Sequence, residues 1–261
     1  MFLAMIKRCY LLFICAFLSL FSFYGCGDDF LPDEENPVVC PGISYPKGAK
    51  LAKVWNSTGG ERSLKYEFEY DSSGRLLKKR DMSGCIIEYQ YDGHDRLVKE
   101  IQLVSNIDGV YRNLITYHYQ YDEQGLLVKK ISEYPLIGRQ KETSCFYVDG
   151  RMSRMVVYDE TGREAQCVDY EYDSDGLLIK EYMRPDSNSN MIRFTEYRND
   201  NGLNVEATFY SVKEDGGAVL MRRVSRYYDS NGNLIMLVSD ELSEISSMAS
   251  YIEEYEYVSG D

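Results

Sequence analysis

Tyr70 to Leu76 reads YDSSGRL, and near-copies recur as YDGHDRL from Tyr91, YDEQGLL from Tyr121, YDETGRE from Tyr158, YDSDGLL from Tyr172 and YDSNGNL from Tyr228. Such a stretch can hold a metal, supply a catalytic carboxylate or turn the chain, and its spacing favours the turn. Asp71 fits the first position of a type I turn, where its carboxylate accepts a backbone N–H. Gly74, three residues on, supplies the left-handed residue that returns the chain to a sheet as a glycine bulge. Asp92, Asp122, Asp173 and Asp229 repeat the first role, and Gly125, Gly176 and Gly232 the second. The loop count also sets a register. It places Tyr70 opposite Leu76, Tyr91 opposite Leu97, Tyr121 opposite Leu127, Tyr172 opposite Leu178 and Tyr228 opposite Leu234. An aromatic packed across from an aliphatic contributes about 0.2–1 kcal/mol per pair.

A calcium loop is the rival reading of DSDG and DSNG. It requires ligands at alternate positions and a glutamate at the twelfth. Counting from Asp173 the twelfth residue is Arg184, and from Asp229 it is Asp240. No metal and no cofactor are expected.

Alignment on the turn tyrosine gives Tyr70, Tyr91, Tyr121, Tyr147, Tyr172, Tyr197 and Tyr228, with a half unit from Tyr255 to Asp261 closing the chain. YVDGRM lacks a turn residue, YRNDNGLN has one extra, and YDETGRE falls between registers as the return turn of its unit. Alternating runs such as YEFEY and YHYQY precede the turns, and β-rich runs such as RLVKEIQL follow them, so each unit is a pair of strands. The one stretch that admits a helix is Ser239 to Ser250, which reads equally as a long loop. The expected fold is all-β: a meandering antiparallel sheet of about 14–18 strands. Twist accumulates from strand to strand, so the sheet is expected to be curved or curled on itself.

The pattern tyrosine–aspartate, a glycine three residues on, then a leucine resembles the YD repeat of the Rhs (rearrangement hotspot) family over about residues 60 to 261. In large Rhs proteins such repeats form a shell around a toxin, closed by a peptidase-like segment. The chain contains no such segment, so the resemblance is to small YD-repeat lipoproteins of the Bacteroidota. It implies an architecture and says little about activity.

The N-terminus reads as an address. Lys7 and Arg8 precede an apolar run from Tyr10 to Phe23, and Gly25 precedes Cys26. That is the layout of a secretory signal, with a retained membrane helix as the alternative. Gly-Cys in this place resembles the lipobox of bacterial lipoproteins, and the following GDD resembles the export signal of surface lipoproteins. The expected organisation is a lipoprotein signal peptide over 1–25, a lipidated Cys26 with an extended acidic, proline-bearing linker over 26–48, and a β domain over 49–261. The expected location is the outer membrane, lipid-anchored and surface-exposed, with the periplasmic face as the alternative. Acyl chains contribute about 0.8 kcal/mol per buried methylene, so more than one makes a durable anchor. Loss of the signal removes two basic residues and no acidic one, taking the formal charge from −13 to −15. Such a charge repels phosphate backbones and excludes nucleic acid as a partner. Cys40, Cys85, Cys145 and Cys167 remain, free or bridged, without metal-site spacing.

Chemistry is sparse in this sequence. His94 lies in a turn and His118 on the polar face of a strand, neither with a motif partner. No nucleophile elbow, zinc or phosphate motif appears. Glu67 and Glu69 read as a solvated face opposite lysines such as Lys79. The 24 tyrosines and the single Trp55 stand out. Tyrosines fill the concave face of a curved sheet with their hydroxyls on polar partners, and Trp55 caps an exposed edge strand. The leading expectation is a non-enzymatic, lipid-anchored β-repeat protein presenting a rigid surface for binding or assembly. The alternative is a glycan-binding module of a saccharide uptake system that uses exposed tyrosines, with coplanar exposed aromatics as its structural sign.

Overall fold

The computed structural model describes residues 44–105, 109–242 and 250–258. They form β1 (Lys50–Thr58), β2 (Glu61–Tyr70), β3 (Leu76–Asp81), β4 (Cys85–Tyr91), β5 (Leu97–Ser105), β6 (Tyr111–Tyr121), β7 (Leu127–Tyr134) and β8 (Arg139–Val148). The second half continues with β9 (Arg151–Tyr158), β10 (Glu164–Tyr172), β11 (Leu178–Arg184), β12 (Arg193–Asp200), β13 (Leu203–Val212), β14 (Ala218–Tyr228), β15 (Leu234–Glu241) and β16 (Tyr251–Val258). Each strand pairs antiparallel with its sequence neighbours, and β16 pairs with β1, so the meander is a closed barrel. The signal, Cys26, Cys40 and most of the linker lie outside the described residues, as does 243–249 of the stretch that admitted a helix.

Closure corrects the expectation for Trp55. Among the described residues there is no exposed edge strand for it to cap, because β1 is laddered to β16 from Lys50 opposite Val258 to Ser57 opposite Ile252. Trp55 sits within that seam, donating from Nε1 to Glu256 at 3.0 Å, with the Arg62 guanidinium 4.1 Å from its ring centroid.

Alternation sorts side chains to two faces. One carries Tyr117, Cys145, Ala207, Val224 and Leu237, all buried. The other carries ion pairs such as Lys129–Glu142 and Lys180–Glu196, both at 2.9 Å and partly solvated. The first is the barrel's inner face. Outer pairs of this kind contribute little stability each. Lys79 does not face Glu67 and Glu69, as expected, but stands opposite Phe68 on the inner face with Nζ 3.7 Å from the Tyr66 ring centroid. A bulge at the turn accounts for the difference, shifting the register between Glu69 and Tyr70 by one residue. Glu67 instead faces Lys53, and Glu69 pairs with Arg80.

The two rims differ. At one, even-numbered strands turn into odd-numbered ones at Asp71, Asp92, Asp122, Asp149, Asp173, Asn201 and Asp229, and both described chain ends lie there. At the other, the return rim, the connections are mixed: a Gly59–Gly60 turn, an Asp81 turn, the Asp159 turn of YDETGRE, and the longer segment 185–192. Cys85, Cys145 and Cys167 are free thiols.

Candidate functional site

Five of the seven joined corners of the turn rim are each built around one carboxylate. In the first copy, Asp71 N–H donates to Arg75 O and Gly74 N–H to Asp71 O, each at 2.9 Å, and Gly74 takes φ +83°. Asp71 Oδ1 accepts from the amides of Ser73 and Arg75 at 2.9 and 2.8 Å. Asp122, Asp173 and Asp229 make the same closing pair with Gly125, Gly176 and Gly232, and Asp159 does so on the return rim. In the second copy Asp95 replaces glycine at φ +60° and accepts from Arg75 of the neighbouring corner at 2.8 Å. The aspartates are therefore spent on backbone. Hydrogen bonds from Arg96 hold the Asp92 carboxyl near 2, and the Thr161 hydroxyl and Arg163 amide do the same for Asp159. Partial burial pushes Asp229 up, but donors from Asn233, Tyr45 and Asn231 outweigh it and leave it at about 2.

Tyr70, Tyr91, Tyr121, Tyr172 and Tyr228 stand opposite Leu76, Leu97, Leu127, Leu178 and Leu234. Their hydroxyls make a second connection that sequence reasoning missed. Each donates to a backbone carbonyl of the preceding unit: Tyr70 to Leu51, Tyr91 to Leu76, Tyr121 to Leu97, Tyr172 to Met152 and Tyr228 to Asn204, at 2.7–3.0 Å. Tyr147 to Leu127 and Tyr257 to Leu234 extend the series. The eighth place belongs to Asn199, whose Nδ2 donates to Leu178 O at 2.9 Å, and not to the aligned Tyr197. The cause is the turn: Asn201–Gly202, like Asp149–Gly150, is a two-residue loop with both φ positive, the short hairpin connection. The extra residue of YRNDNGLN thus lies in the strand, and the tyrosine place moves along by two. Eight such bonds complete a ring around the rim.

Below this ring the inner face holds a polar cluster. Tyr119 donates to Glu100 at 3.0 Å, Tyr255 to Glu253 at 2.7 Å, and Lys65 Nζ lies 2.5 Å from Glu253. Burial pushes the Lys130 ammonium down to about 8, with Nζ 3.8 Å from the Tyr117 ring centroid. Burial and the Glu100 charge push Tyr119 up. These groups are engaged by their neighbours, as expected of structural polar packing. Among the described residues no three potential ligands gather around a metal position. His118 lies on the outer wall, with Nε2 3.2 Å from Glu133, and the His94 amide donates to Asp92 within its turn.

The outer wall holds an open cavity of about 460 Å³, lined by Phe146, Arg154, Val156, Tyr158, Glu164 and Asp169 among others. Asp169 is clamped between Arg154, at 2.6 Å, and Arg184. Glu164 accepts the Ser187 amide at 2.8 Å, drawing segment 185–192 to the cavity's side.

Two of the corners match a known repeat. Residues 70–102, the corners at Tyr70 and Tyr91 with the strands that follow, match the RHS repeat. No curated protein sequence matches the chain. Among solved structures, TcdB2-TccC3 aligns at 16% identity over 74% of this chain and 10% of its own, with a TM-score of 0.35. The Photorhabdus luminescens Tc holotoxin pore aligns at 16% identity over 72% and 9%, with a TM-score of 0.35. A porin-like protein from Bacteroides vulgatus aligns at 13% identity over 80% and 99%, with a TM-score of 0.39. The chain spans about a tenth of the length of the TcdB2-TccC3 chain. It is a β-repeat protein whose corners at Tyr70 and Tyr91 match the RHS repeat.

Proposed function

We propose that the protein is a non-enzymatic scaffold, anchored by lipid on Cys26 at the outer membrane, that presents the rigid wall of its barrel for binding or assembly at the cell surface. The observation that carries this reading is the way the linker enters the fold. Tyr45 N–H donates to Asp229 Oδ2 at 2.8 Å, Asn231 Nδ2 donates to Tyr45 O at 2.7 Å, and the Tyr45 ring lies 5.0 Å from that of Tyr257. The end of the segment read as a loose linker is thus fastened to the tyrosine ring, so a tether pulls on a closed frame. Closure also matters for binding, since a sheet with no unpaired edge offers its wall and loops and not its backbone.

Metabolic labelling with an alkyne fatty acid, followed by protease treatment of intact cells, tests the reading. Label on the wild-type chain, loss of label with Cys26→Ala and shaving of the barrel from whole cells are expected. An unlabelled chain, or one protected until the cells are lysed, would overturn the anchor or the surface location respectively.

A further inference from the structure

On the outer wall one row of side chains runs straight across six strands. Phe146 faces Arg154, Arg154 faces Asp169, Asp169 faces Tyr182, Tyr182 faces Phe194 and Phe194 faces Tyr210. Five inter-strand steps give a row about 24 Å long. One end is the 460 Å³ cavity, with Phe146 at its mouth. The other is the Phe194–Tyr210 pair, stacked at 4.5 Å with planes 13° apart.

The row's chemistry is fixed and electrically balanced. Asp169 is held by two guanidiniums, Arg154 and Arg184, and Glu164 at the cavity's side brings the count to two charges of each sign. Glu171 and Glu196, carboxylates on the adjoining row with Lys180 between them, lie beside Tyr182 and Tyr210. Phe146 differs from Trp55 and Phe194 on the same wall. Trp55 is covered by Arg62, and Phe194 by Tyr210 and Lys180, whereas Phe146 is 46% exposed and has no ring or cation partner among the described residues.

We infer that this row is a binding track for an extended neutral saccharide, with the cavity beside Phe146 as its anchoring subsite. Balanced charge gives neither an anion nor a cation a net attraction. A peptide that binds by strand addition needs a sheet edge, which barrel closure removes. A pyranose chain has apolar C–H faces for rings and hydroxyl pairs for a pinned carboxylate and guanidinium, and it is amphipathic in the way such a site requires. The inference rests on the reading of the wall as the presented surface and names its ligand.

Affinity electrophoresis of the full chain through gels containing a neutral glucan, mannan, xylan or galactan tests it, with calorimetry on oligomers of the retarding polymer. Retardation by at least one polymer is expected, with affinity rising with oligomer length until the row is spanned. Phe146→Ala should weaken binding at least tenfold without changing the melting temperature, and Asp169→Asn should weaken it also. No retardation in any of the four gels, or retardation unchanged by Phe146→Ala, would overturn the track. That outcome, with acylation and surface exposure intact, would leave the anchored-scaffold reading standing.

Discussion

Seven corners of the turn rim are joined by a peptide loop, and the eighth, where β16 meets β1, is not. The side chains nonetheless build the same clamp at both kinds. At a joined corner, Arg75 binds Asp71 and lies 5.3 Å from the Tyr91 ring centroid, while the Tyr91 hydroxyl holds Leu76 O. At the seam, Lys50 takes the arginine's place, 5.8 Å from the Tyr70 ring centroid, and the Tyr70 hydroxyl holds Leu51 O. Tyr257, at the other chain end, donates to Leu234 as any corner tyrosine would. The half unit at the C-terminus is thus completed by a half unit at the N-terminus. The repeat is defined by its clamp, and the loop is a convenience that the seam does without.

Breaking the seam should have the largest effect. Ending the chain at Ser250 removes β16 and leaves β1 and β15 as unpaired edges, templates for pairing with other chains. A shift from a monodisperse to an aggregated elution profile is expected, and a monomeric, cooperatively melting product would show that the joined corners suffice. Within the seam, Glu253→Ala strips the carboxylate from a pair 11–15% exposed and leaves Lys65 without it. Loss of a partner from such a pair costs about 3 kcal/mol, measurable by urea denaturation. A loss under 1 kcal/mol would place the seam's strength in its backbone ladder.

Acid should act on the aspartate turns of both rims. Asp92, Asp159 and Asp229 titrate near 2 when folded against an ordinary value of 3.8. Depressed folded values give stability that is present above the unfolded value and lost as pH falls through the folded one. The melting temperature should therefore hold to about pH 4 and fall steeply towards pH 2. A flat profile across that window would contradict the corner role of these aspartates.

The smallest effect compares one joined corner with another. Gly125 and Gly176 share φ +83°, but an added Cβ is unobstructed at the first and meets the Arg151 guanidinium at the second. Gly125→Ala should cost about 1 kcal/mol for the left-handed backbone, and Gly176→Ala measurably more by thermal denaturation. Equal costs would mean that Arg151 moves aside freely.

Much of this architecture was readable before any coordinates. Tyr70–Leu76 and its four counterparts follow from counting residues between strand ends, because loop length and the positive-φ residue determine hairpin geometry locally. Tyr197 misled because the loop there changes type, and a two-residue loop moves the tyrosine's place along the strand. Lys79 misled because a bulge inserts a residue that alternation alone does not reveal. The hydroxyl ring had a signal, the tyrosine before six of the seven joined corners, but its acceptors are backbone carbonyls that carry no residue identity.

By itself the sequence determined the corners, the strands and their antiparallel order, since these depend on contacts between residues a few positions apart. The tertiary structure decided closure and the outer row. Trp55 reaches Glu256 across 201 positions, and Phe146 shares a line with Tyr210 only through five successive registers, four of which also carry a register shift along their length. A slip of one residue in any of them would send the line to the opposite face, so such a surface exists only once every strand has been placed.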